Sequence, residues 1–410
     1  MIILRVVLLL LLVICRNAGG QSAPIRAFTG LTLIDGTDRG SVVNATIVVR
    51  DGRIVAAGPA TAVAIPPGAE RIALDGKVVI PGLINAHGHV NDPRDLGTYA
   101  AYGVTTVFSL GGEPPSVFAA RDAQGTPALD RARVFVAGPV ITARTPAEAR
   151  AQVASVAAQK PDIIKIRVDD NLGTVEKMSP EIYAAVIDEA HKRGLRVASH
   201  LFYLADAKSL LVAGTDFVAH SIRDADVDAD VIAALKSRGV CVCPTLMREV
   251  STFVYESTPA FFADRLFLSH ANPEWVAMFK EPARQQSIRN SASAQRYKIA
   301  LEQASRNVKR LADAGVPIAM GTDTGPTGRF QGYFELMELE LMVKAGLTPG
   351  QALASATRDA ARCMKLDRDL GTLEPGKWAD FVVLDADPLA DISNVKRIAS
   401  VWIAGNKVAR

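Results

Sequence analysis

Histidine is scarce in this chain, with six in 410 residues, and cysteine is scarcer still at four. Charge of neither sign is in real excess, and the formal net charge is only +3. Each shortage excludes something. With Lys and Arg scattered and no basic run, there is no footing for a nucleic-acid partner. Internal repeats and low-complexity tracts are absent, which removes a solenoid from consideration. Cys15 lies in the N-terminal segment, and only Cys241, Cys243 and Cys363 follow it. An odd count argues against a disulfide framework. Cys241-Val242-Cys243 sits in an apolar, strand-like run that points both thiols to one face. Buried small hydrophobes are expected there rather than a metal pair. The apolar run Val6–Ile14 is too short for an ordinary membrane span.

That run has another meaning. Arg5 precedes it, and Arg16, Asn17, Ala18, Gly19 and Gly20 follow. A charged start, a short apolar stretch and small residues at a cleavage zone describe a secretory signal over residues 1–20. An exported protein, periplasmic or secreted, is therefore expected, without stable membrane insertion once the signal is cleaved. The 410-residue chain is 49% hydrophobic and 22% charged, ample for a large core. Homo-oligomerisation is left open.

Both chain ends read as β. Thr32–Ile34, Thr46–Arg50, Ile54–Ala57 and Arg71–Leu74 are short alternating runs broken by Gly36, Asp51-Gly52, Gly58 and Asp75-Gly76. Asp380–Asp385 and Ile398–Ile403 have the same character. The expectation is one small β-sandwich built from residues 24–78 and 366–410. Between them strand and helix alternate. Strands are expected at Val78–Ile84, Gly103–Leu110, Arg133–Val140, Asp162–Val168, Arg196–His200, Phe217–His220, Val240–Pro244 and Ile318–Asp323. Helices are expected at Thr145–Gln159, Pro180–Arg193 and Ser291–Ala314. Eight strands spaced by helices fit a (β/α)8 TIM-like barrel over residues 79–365, in an α/β fold. Residues 246–290 form a long insertion with Phe253, Tyr255, Phe261, Phe262, Phe267 and Trp275, expected either to wall the barrel mouth or to pack a core of its own.

Four of the six histidines recur at strand ends. His87 and His89 close the first barrel strand, and two residues apart in an extended segment they point the same way. Lys165, His200, His220 and Asp323 end later strands. A parallel barrel brings such ends to one rim, where active sites form. Neutral imidazoles there suit zinc and related divalent metals. Lys165 is one charge in the apolar strand Asp162-Ile163-Ile164-Lys165-Ile166-Arg167. Buried, it costs several kcal/mol or gives up its proton. A neutral amine can then add carbon dioxide to give an anionic, bidentate carbamate. The plainer alternative is a lysine that reaches the rim and pairs with Asp169 or Asp170.

The stretch Pro81-Gly82-Leu83-Ile84-Asn85-Ala86-His87-Gly88-His89 resembles the first-strand motif of the amidohydrolase superfamily, with Asn85 where Asp is common. Ala198-Ser199-His200, Val218-Ala219-His220 and Gly321-Thr322-Asp323 are similar to its later ligand motifs. The run from Gly371 to Asp380 resembles its structural Gly-Lys-x-Ala-Asp signature. The resemblance implies the subtype with a carboxylated lysine and two metal ions, as in imidazolonepropionase-related enzymes and prolidase-like dipeptidases. It implies that His87, His89, Lys165 and Asp323 hold one ion, and Lys165, His200 and His220 the other. Zinc is the expected metal. A water between the ions would attack a substrate carbonyl, with Asp323 taking its proton and passing it to the leaving amine. The expected substrate is a small dipeptide or N-acyl amino acid. Arg223 is a candidate for a substrate carboxylate and Tyr203 for a carbonyl oxygen. His270 is a weaker candidate contact, and His191 is expected at the surface. Three other readings compete. A mononuclear deaminase needs a carboxylate near His200, where Leu201-Phe202-Tyr203 stand instead. A phosphotriester or lactone hydrolase could use the same metals. A binding scaffold would be expected to have lost a ligand, and none is missing.

Overall fold

The computed structural model describes residues 24–410, so the expected export signal at 1–20 lies outside them. The strands in chain order are β1 Arg26–Ile34, β2 Ser41–Arg50, β3 Arg53–Pro59, β4 Glu70–Ala73, β5 Val78–Pro81, β6 Leu83–Gly88, β7 Val104–Ser109, β8 Arg133–Val136, β9 Ile164–Arg167, β10 Val197–His200, β11 Phe217–Ala219, β12 Cys241–Cys243, β13 Phe381–Leu384, β14 Ile398–Ile403 and β15 Asn406–Lys407. Among the described residues, no helix is long and apolar enough to cross a membrane.

The two chain ends form one sheet, in the order β15-β14-β13-β5-β1-β2-β3, with β4 added on β1. The alternating runs explain it. Phe28, Leu31, Leu33, Ile47, Val49, Val79, Phe381 and Trp402 bury together on one side. The strand expected over Val78–Ile84 is two strands. β5 pairs with β13 in the chain-end sheet, and β6 pairs with β7 in another. Gly82 is the break: a β-carbon there would lie 2.0 Å from Thr105 Oγ1, so no side chain fits. The Gly-Lys-x-Ala-Asp run fastens this sheet to the rest. Asp380 accepts from Arg133 Nε at 2.7 Å, both side chains are buried, and the guanidinium covers the Trp378 ring.

The middle of the chain forms two parallel sheets, β6-β7-β8 and β12-β11-β10-β9. Single bridges join them at Ile141↔Ile166 on one side. On the other, residues 317–324 lie between β12 and β6. Val242 bridges Ile318, and Gly88 bridges Thr324. Ala86 N donates to Met320 O at 2.8 Å, and Asp323 N to His87 O at 2.6 Å. The strand expected at Ile318–Asp323 is therefore reduced to isolated bridges. Its backbone turns into a left-handed conformation at Asp323, φ 59°, which ends any regular ladder.

The helices form where their caps begin them. Thr145 accepts from Glu148 N ahead of Pro146–Ala157, and Ser291 accepts from Ala294 N ahead of Ala292–Asp313. The 246–290 insertion folds into short helices whose aromatic side chains join the main core rather than forming a separate one. Phe261, Phe262 and Phe267 pack edge and face against Phe330, Tyr333 and Phe334. One cysteine expectation needs correcting. Cys241 and Cys363 form a disulfide across 122 residues, and Cys243 is free and buried. The odd count ruled out a complete framework but not one bridge between segments that only the fold brings together.

Candidate metal centre

The six side chains singled out at strand ends converge. His87, His89 and Asp323 each offer a ligand atom, and these lie within 4.8 Å of one another. His89 Nε2 is 2.9 Å from Asp323 Oδ1, and His87 Nε2 is 3.5 Å from the same oxygen. Lys165 Nζ is 3.1 Å from His87 Nε2. The His220 ring lies 4.6 Å from the His87 ring and 4.1 Å from the His200 ring, between centroids. Every member except His89 is buried. Two backbones are bent to deliver them: His220 and Asp323 both have positive φ, 76° and 59°.

Burial governs their chemistry. It holds His87 and His220 well below the ordinary imidazole value, and His200 at about 3. These three rings are neutral at physiological pH and keep a lone pair for a cation. Lys165 is 4% exposed, and burial lowers its ammonium to about 8. The lysine does not reach the rim to pair with Asp169 or Asp170. Asp169 meets His200 Nε2 at 2.7 Å instead, and Asp170 accepts from the Tyr203 hydroxyl at 2.9 Å. Burial alone would raise the Asp323 carboxyl. Arg329 and the His89 hydrogen bond outweigh it and hold Asp323 well below the usual carboxylate range.

The donor set fits divalent cations. His220 Nδ1 is engaged by Thr245 Oγ1 at 2.7 Å, while its Nε2 is buried with no partner. His200 is engaged through Nε2 by Asp169, which leaves Nδ1. His89 turns Nδ1 to Gly111 O at 3.2 Å and Nε2 to Asp323. Each of these rings has one nitrogen fixed from behind and the other turned to the cluster or free, as oriented metal-ligating imidazoles are.

Other candidates sit differently. Arg223 is wholly buried, donates to Leu201 O and Ser221 O, and lies over the Phe202 ring. Its Nε is 3.1 Å from Glu249 Oε1 but out of alignment, and its Nη2 has no partner. His270 stacks edge-on against Tyr102, away from the six. His191 pairs with Asp216 at 2.8 Å and is exposed, as expected. Sequence reasoning missed Thr245, Arg329 and Glu335, and saw Asp169 only as a partner for lysine. Arg329 binds Asp323 Oδ2 from six residues on, across a loop containing Gly325 and Gly328. No spacing rule signals such a contact.

The model of the Amidohydrolase family matches residues 78–408, most of the chain. The chain belongs to the amidohydrolase family. An imidazolonepropionase from Rhizorhabdus wittichii is 26% identical over 391 residues, covering 88% of this chain and 93% of that protein. An imidazolonepropionase from Deinococcus deserti is 38% identical, but over 104 residues, only 26% of its length. A solved structure from Bifidobacterium longum, assigned as a prolidase, aligns with a TM-score of 0.77 and 27% identity, covering 94% of this chain and 95% of that one. As an amidohydrolase, this protein is a metal-dependent hydrolase of carbon–nitrogen bonds.

Proposed function

We propose that this amidohydrolase cleaves the amide bond of a small dipeptide or N-acyl amino acid with two divalent ions, zinc by preference. His87, His89, Lys165 and Asp323 would hold one ion, and Lys165, His200 and His220 the other. One observation carries the reading: a buried lysine with a lowered pKa touches a metal-ligand histidine and has no carboxylate partner of its own. A lysine so placed is readily neutral. It adds carbon dioxide and loses a proton to give a carbamate, which offers two oxygens where two ligand groups meet.

When bound, divalent ions polarise a carbonyl oxygen and make water acidic enough to attack near neutral pH. The protein's own groups do the rest. Asp323 accepts the proton of the attacking water and returns it to the departing amine nitrogen. The Arg329 guanidinium keeps Asp323 ionised and so able to accept. Asp169 and Thr245 hold the His200 and His220 rings in register. Arg223 is proposed to recognise a substrate carboxylate through its unpartnered Nη2, and Tyr203 to approach the carbonyl side.

The two parallel sheets and residues 317–324 are proposed to act as one (β/α)8 barrel over 79–365. The chain ends, 24–78 and 366–410, would form its sandwich. Export is proposed as well. The Cys241–Cys363 disulfide supports it, because such bonds persist in oxidising compartments. The test is zinc-loaded protein against a panel of dipeptides, N-acyl amino acids, lactones and phosphotriesters. Turnover is expected on the amides. Turnover on lactones or triesters alone would overturn the amide assignment.

A further inference from the structure

Behind the cluster lies a buried carboxylate that the chemistry above does not use. Glu335 sits on the helix Tyr333–Lys344 and is 0% exposed. A single oxygen, Oε1, accepts three hydrogen bonds. They come from Asn85 Nδ2 at 2.5 Å, Thr322 Oγ1 at 2.7 Å and Thr324 Oγ1 at 2.6 Å. These donors are not random neighbours. Asn85 belongs to β6, and its Oδ1 accepts from the backbone N–H of His87 at 2.9 Å. Thr322 and Thr324 flank Asp323 on either side. Thr322 Oγ1 also accepts from Thr324 N at 3.3 Å, across the left-handed turn that Asp323 occupies. His87 O in turn accepts from both Thr322 N and Asp323 N, at 3.1 and 2.6 Å.

We propose that Glu335 is a positioning residue: paired with Asn85, it clamps the end of β6 to the Asp323 turn and so fixes His87 and Asp323, two of the six side chains of the candidate metal centre. The proposal rests on the metal reading above for its consequence, though not for its geometry. Unfilled, the turn would be free to relax, since a non-glycine residue at positive φ is held only by its surroundings. The clamp also gives Asn85 a reason. An aspartate there would place two carboxylates 2.5 Å apart, whereas the amide donates to Glu335 and accepts from His87 at once. The amide at 85 and the carboxylate at 335 thus form a matched pair. Orienting partners of this kind are worth about 10- to 100-fold in metal affinity.

The clamp can be tested by truncation. Metal-free wild-type protein, Glu335→Ala, Asn85→Ala and the double variant Asn85→Ala/Glu335→Ala are titrated with zinc, and amide hydrogen exchange is followed over residues 321–325. Glutamine at 335 would not serve, because its Oε1 can still accept all three hydrogen bonds. Each single variant is expected to bind zinc about 10- to 100-fold more weakly, with faster exchange in that segment. The double variant is expected to lose no more than Glu335→Ala alone, since the two residues act as one unit. A Glu335→Ala protein binding zinc within twofold of wild type would overturn the clamp. So would a double variant whose losses simply multiply. Should Glu335→Ala fail to fold, Thr324→Val and Thr324→Ser decide instead. Weaker zinc binding in the valine variant alone supports the clamp, and equal binding in both overturns it. A wild-type protein that takes up no zinc, while exchange still quickens in Glu335→Ala, would sink the metal reading and leave the clamp standing.

Discussion

Replacing Lys165 with methionine should stabilise the metal-free protein while destroying its function. Burial takes the Lys165 ammonium from its ordinary 10.5 to about 8. A base with a depressed folded value is less protonated folded than unfolded. Stability is therefore lost as pH falls through the unfolded value and reaches its full deficit below the folded one. At 1.36 kcal/mol for each pH unit, a drop of about 2.5 units corresponds to about 3 kcal/mol against the folded state at pH 7. Methionine fills a similar volume with no charge to desolvate, so Lys165→Met removes that deficit. The assay is urea unfolding of chelator-treated protein in buffer freed of carbon dioxide, which keeps the wild-type amine unmodified. A higher midpoint is expected for Lys165→Met at pH 7. The gap should narrow between pH 8 and pH 10.5, as the wild-type lysine becomes neutral in both states. The same variant should bind no more than one zinc tightly. A Lys165→Met protein less stable than wild type at pH 7 would show that the amine is well solvated or well paired, and the case for a carbamate would lose its physical basis.

Other expectations concern turnover and the fold. Asp323→Asn should keep zinc yet lose about 10²- to 10⁴-fold in kcat, the range for a lost general base; kcat near wild type would remove Asp323 from proton transfer. Lys165→Ala should lose bound metal and activity, with partial rescue by short carboxylic acids; a fully metallated and active Lys165→Ala protein would refute the bridge. Cys363→Ser opens a 122-residue loop and should cost about 4 kcal/mol in calorimetry, with zinc binding unchanged once folded.

The side chains of the candidate metal centre stood out in the sequence because their signals are local. Two histidines at a spacing of two share a face of a strand, and a lone lysine in an apolar run declares its own burial cost. The alternating chain ends likewise showed that they would bury a common face. What escaped was set by three-dimensional neighbours. The apolar run passes from one sheet to another at Gly82, where Thr105 leaves no room for a side chain, and nothing near Gly82 in sequence says so. Glu335 reads as one more acidic residue on a helix, and only the fold sets it against Asn85, Thr322 and Thr324. Arg223 was singled out by its chemistry alone, and only the fold shows its guanidinium beside Glu249 and over the Phe202 ring. The disulfide joins β12 to the helix Arg358–Met364 across a separation that no spacing pattern reports.

The most direct measurement is a crystal structure of protein loaded with zinc in the presence of bicarbonate, with anomalous scattering at the zinc edge. Two zinc peaks are expected, one beside His87, His89 and Asp323 and one beside His200 and His220, with density for a carboxylated Lys165 joining them. A single peak with an unmodified Lys165, or no peak at all, would contradict the dinuclear site.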